Sequence, residues 1–148
     1  GRALRRFAFK LEKLLELRAF HEKRAELVLA EKAGRGAVLE ADLKAVAEAR
    51  ARTCREMVAP GRDLSDYRAA ELYLVRLDRE RDRLLAELAQ AELEREAARA
   101  EYIEKHRDRE AIDKLKERRQ ADYYRLAERE ETKALDDIAR RSLVEAGR

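Results

Sequence analysis

Tryptophan is absent from the 148 residues, cysteine and proline occur once each, glycine five times, and aromatic residues make up only 5% of the chain. Scarce aromatics exclude a round, bulky core. Much of the 45% hydrophobic fraction is alanine, which buries little surface. The lone Cys54 cannot form an internal disulfide, and this suits a reducing compartment. We expect it as a small buried or half-buried side chain. No apolar run approaches the ~20 residues that span a bilayer. No secretory signal is expected at the amino end, because Lys10, Glu12 and Lys13 break the segment after the basic start. The chain therefore reads as cytosolic. Scarce proline and a net charge of only +3 argue against disorder, although low hydropathy alone would permit it.

What the sequence does contain is charge and helix formers. Asp, Glu, Lys and Arg supply 45% of the residues. With Ala and Leu, most of these are the strongest helix formers. A thin seam of Leu and Ala between long helices, with charge on the remaining faces, fits this composition. The expected fold is all-α: a long two-stranded antiparallel coiled-coil hairpin with an overhanging C-terminal helix, forming one coiled-coil domain over 1–148.

Apolar residues recur in steps of four and three: Leu4, Ala8, Leu11, Leu15, Ala25, Leu29, Leu39, Leu43, Val46 and Met57. This is the coiled-coil condition. The spacing predicts a first helix from about Arg5 to Met57, with Arg18, Glu22, Lys32 and Arg50 interrupting its seam. Gly34 and Gly36 weaken its middle, and a local bend without a helix end is expected there. The strong break is Val58-Ala59-Pro60-Gly61-Arg62-Asp63. Pro60 disfavours helix at Ala59, Gly61 readily takes positive φ, and Asp63 can cap a new helix with Asp66 in its first turn.

The second helix, about 64–145, carries the seam Leu77, Leu84, Leu88, Ala91, Ala98, Tyr102, Ile112, Tyr123 and Leu126, interrupted by Arg81, Arg95, Lys105, Arg109, Lys116 and Arg119. Folding at the turn sets Leu11 near Ile112 and Ala8 near Leu115. At ~1.5 Å per residue the paired part would be about 80 Å long, and about 25 carboxyl-terminal residues would lack an internal partner. Their displaced stripe, Leu135, Ile138, Ala139 and Leu143, calls for an external one. Pairs such as Glu40–Lys44, Glu101–Lys105 and Glu110–Lys114 form the solvated face.

Chemistry is missing. His21 and His106 lie on opposite arms, and there are no metal spacings, phosphate loop or serine elbow. No catalytic residue, metal or cofactor is expected. The pI near 9.1 raises nucleic-acid binding as an alternative, through Arg2–Arg6 and Lys114–Arg119 at the open end of the hairpin. Asp113 and Glu117 interleave with the second stretch and no stacking platform accompanies it, so nucleic acid is not the expected partner.

Three runs carry a family resemblance. Phe7-Ala8-Phe9-Lys10-Leu11-Glu12-Lys13-Leu14-Leu15-Glu16-Leu17-Arg18 resembles the F-x-F-x-L-E-x-L-L-x-L-R opening of FliJ proteins of the flagellar type III export apparatus. Asp113-Lys114-Leu115-Lys116-Glu117-Arg118-Arg119 is similar to that family's L-E-K-L-K-E-R-R, with Ile112-Asp113 in place of Leu-Glu. Glu131 to Ala139 resembles its acidic tail. The Pro-Gly turn and the Gly34/Gly36 interruption have no counterpart in the pattern.

The resemblance implies a non-enzymatic stalk, similar to the γ stalk of rotary ATPases. Such a stalk promotes export ATPase ring assembly and links the hexamer to the cytosolic domain of the export gate and to export chaperones. It also implies a cytoplasmic location, with peripheral association at the inner membrane through the gate. A stalk of the related virulence injectisome is the neighbouring alternative. Candidate ATPase-binding residues are then Phe7, Phe9, Leu11, Leu14, Leu15, Arg18, Lys114, Lys116, Arg118, Arg119, Leu135, Ile138 and Leu143. Tyr67, Tyr73, Leu74 and Leu77, with apolar groups on more than one face past the turn, are the candidate gate contacts.

Overall fold

Pro60 and Gly61 end one helix and permit the next, as their chemistry dictates. The computed structural model describes residues 6–147. It contains α1, Glu12–Met57, and α2, Leu64–Ala146, packed against each other, with no strand among the described residues. The fold is the expected all-α helical hairpin. Gly61 takes a positive φ of 85°. Asp63 caps α2 reciprocally: the Asp66 N–H donates to Asp63 Oδ1 at 2.9 Å, and the Asp63 N–H donates to Asp66 Oδ2 at 3.1 Å. Two otherwise orphaned donors are thereby satisfied.

α1 starts later than expected. Leu4 and Arg5 lie outside the described residues, but 6–9 are non-helical and the helix begins at Glu12. Here the local pattern has a period of two, not of three and four: Phe9 is buried, Ala8 exposed and Phe7 half-buried. An extended entry places both rings to pack, which a helix at this spacing would not do. The Glu12 N–H then donates to the Phe9 carbonyl at 3.2 Å. Glu12 itself puts an acid in the first turn, where the helix dipole favours it.

Contacts group the chain into two units: residues up to Glu22 together with those from Lys105 onward, and Lys23–Glu104 between them. In the second of these, Leu39, Leu84 and Ala91 form the core, with Leu43, Val46 and Leu88 half-buried around it. Ala25, Leu77 and Ala98 are buried along the same seam. Thr53 occupies a seam position and is buried, and its hydroxyl donates to the Ala49 carbonyl at 2.9 Å. Cys54, one residue on, is exposed, contrary to expectation. α1 continues through Gly34 and Gly36 without interruption, and a Cβ built at either meets nothing within 4 Å.

Leu39 and Leu84 share the core as the simple fold-back sets them, but the cross-helix ion pairs lie three to five residues further along α2. Lys32 meets Glu94, Arg50 meets Asp78, and in the other unit Glu12 meets Lys116. Each partner lies further along α2 than expected. Side chains lean toward the N-terminus of their own helix. Those of α1 therefore point away from the turn and those of α2 toward it, so contacts form with later residues of α2.

Candidate interaction surfaces

In the unit holding the chain's start, an aromatic cluster fixes the segment before α1. Phe7 stacks near Phe9, with ring centroids 6.4 Å apart, and lies 5.7 Å from Tyr123, which meets Tyr124 edge-on at 5.4 Å. The Arg119 guanidinium sits 5.9 Å above the Phe9 ring. Phe9 and Leu15 are buried, while Phe7, Leu11, Leu14 and Leu115 are half-buried. These residues pack the unit; of the candidates here, the exposed ones are Lys114, Arg118 and Arg119.

Charges that interrupt the seam turn out to pair across it. Arg18 donates to Asp108 at 3.2 Å, and Lys116 reaches Glu12 at 2.8 Å. Glu22 is held by Arg109 Nε at 2.8 Å and by His106 Nδ1 at 2.9 Å. Partial burial pushes the Glu22 carboxyl up, but hydrogen bonds and charge from Arg109 and His106 outweigh it and hold the group below its ordinary value. Arg109 is raised by its hydrogen bond to Glu22, against some desolvation, and also binds Asp113. Lys114 pairs with Glu110 at 3.1 Å and draws that carboxyl down. Single-helix periodicity showed these seam residues as defects. The usable signal was opposite sign at facing positions, as for Arg18 and Asp108.

The unit containing the turn carries the other candidates. Tyr67 and Tyr73 are 40% and 41% exposed and line a cleft of about 250 Å³ with Thr53, Glu56, Met57, Arg62, Asp66, Ala69 and Ala70. Leu74 is half-buried and Leu77 is buried in the seam, so those two do not share the tyrosines' exposure. Leu72 and Val75, which periodicity did not single out, are exposed beside them.

α2 runs on past the packed segment. From Glu128 to Gly147 every described residue is exposed, including Leu135 at 60%, Ile138 at 59% and Leu143 at 75%. Leu126, expected in the seam, is exposed as well.

Among the described residues no group of three or more His, Cys, Asp or Glu is placed to hold a metal, and no helix is long and apolar enough to cross a membrane. No curated protein and no solved structure matches the chain. The family model described as "Flagellar FliJ protein" matches residues 7–148.

Proposed function

The chain belongs to the FliJ family of flagellar export components, a non-catalytic family, and on that premise we propose that it is a stalk and adaptor of the export apparatus. In this reading it promotes assembly of the export ATPase ring and links the ring to the cytosolic domain of the export gate and to export chaperones. Its association with the inner membrane is peripheral, through the gate.

The observation that supports this best is the uncovered end of α2. Leu135, Ile138 and Leu143 expose an apolar stripe that no described residue of the chain covers. Burying such surface is worth roughly 25 cal/mol per Å², so a partner that encloses it is favoured. Arg140 and Arg141 beside the stripe orient insertion more than they strengthen it.

Deleting Ala134 to Arg148 tests the proposal. The truncated chain should melt within about 1 °C of the full chain, because the deleted residues that are described are all exposed. It should lose stimulation of ATPase ring assembly. A truncated protein that stimulates assembly at the normal concentration would overturn this assignment. For the gate, Tyr73→Ala is the informative change. Leu77→Ala would also disturb packing, since Leu77 is buried.

A further inference from the structure

We infer that the partner surface received by the amino-terminal end of this hairpin is acidic, an inference that rests on the stalk reading above. The cations in stretches 6–18 and 109–125 of this unit fall into two sets. Arg18, Arg109, Lys114, Lys116 and Arg125 are each paired with a carboxylate of the same unit. Arg6, Lys10, Lys13, Arg118 and Arg119 are exposed, and none has a carboxylate within 4.0 Å among the described residues. Only Glu16 and Glu117 are similarly unpaired anions in these two stretches. Internal pairing thus neutralises the seam and leaves an excess of cations on the outside of 6–13 and 118–119.

Arg119 also has a prepared geometry. Its guanidinium lies over the buried Phe9 ring, 5.9 Å from the centroid, while the residue stays exposed. A guanidinium placed over a ring by a cation–π contact still has N–H donors for a carboxylate and loses less freedom in making that contact. Phosphates offer similar oxygens, but strand binding by nucleic acid also needs open ring faces. Those of Phe7, Phe9 and Tyr123 are engaged with one another and with Arg119. The observations therefore favour an acidic protein surface.

The test uses the full chain and the export ATPase, reading the chain concentration that gives half-maximal ring assembly at 50 and 200 mM NaCl. The double variant Lys10→Glu, Arg118→Glu changes two exposed residues with no internal carboxylate partner. It should melt like the parent, need roughly tenfold more protein at low salt, and show a flatter salt dependence. Lys10→Arg with Arg118→Lys should behave as the parent. Unchanged concentration and salt slope in the charge-reversed variant would overturn the inference while leaving the stalk reading intact. A parent chain that fails to stimulate assembly would sink both. Binding of a fluorescent single-stranded oligonucleotide, lost in the same variant while assembly is unaffected, would move the surface to nucleic acid and also overturn it.

Discussion

Replacing Leu84 by Ala should separate the seam from the surface when set beside Leu135→Ala. Leu84 is 2% exposed and packs with Leu39 and Ala91, with Leu43, Val46 and Leu88 at the margin. Leu135 is 60% exposed on the same helix. Leu and Ala differ little in helix propensity, so the backbone contributes almost nothing to the contrast. Truncating a buried Leu costs about 2–5 kcal/mol, the transfer term plus the cavity left behind. A two-helix seam is open along its flanks and can partly close, so the lower half of that range applies, about 2–3 kcal/mol. In a chain of this size that lowers the melting midpoint by roughly 5–10 °C. Leu135→Ala should stay within about 0.5 kcal/mol of the parent. Circular dichroism at 222 nm, followed against temperature and against urea, measures both. The urea midpoint should fall for Leu84→Ala with an unchanged slope. A midpoint for Leu84→Ala within 1 °C of the parent, or an equal drop for both variants, would refute the packing described.

Gly34→Ala and Gly36→Ala should each stabilise by up to about 1 kcal/mol, since both glycines are helical and a Cβ meets nothing at either; a lower melting midpoint would show that the helix needs them. The Glu22 carboxyl is held below its ordinary value near 4.5, so its stabilisation is present above that pH and is lost as pH falls through the depressed value. Glu22→Gln should therefore melt below the parent at pH 7, with the gap closing as the pH falls below the ordinary carboxylate value; a gap independent of pH would disprove the role given to this carboxylate. Cys54 is exposed and should react with a maleimide as fast in the native chain as in urea, to within a fewfold. Protection in the native state would contradict its placement.

Local chemistry was fully legible before the structure. The end of α1 and the start of α2 follow from Pro60, Gly61 and the Asp63–Asp66 cap, whose determinants lie within a few residues of one another. Pairwise facts were less so. The ion-pair partners were displaced because side-chain lean on two antiparallel helices does not show in numbering. The start of α1 was misplaced because Phe7 and Phe9 alternate, while the heptad pattern favoured Ala8. Lys32 and Arg50 looked like flaws in a stripe, since a single helix cannot reveal Glu94 and Asp78 opposite. Of the apolar residues after the turn, Tyr67 and Tyr73 lie open and Leu77 does not. One helix alone does not fix which part of so broad an apolar surface its partner covers.

The Asp63–Asp66 cap has a kinetic consequence. Its partners are only three positions apart in sequence, so it can form before any long-range contact exists. From there the cross-helix pairs close over growing separations: 28 residues for Arg50–Asp78, 62 for Lys32–Glu94 and 90 for Arg18–Asp108. Closing the outermost pair directly would cost about 1 kcal/mol more loop entropy than closing the innermost. Once the inner pairs are made, however, each outer one closes only a short further loop. Folding should therefore run as a zipper from the turn outward, and the pairing of Phe7 with Tyr123 should be the last to form and the first to open. The end that docks its rings last is then also the end freest to exchange an internal contact for an external one.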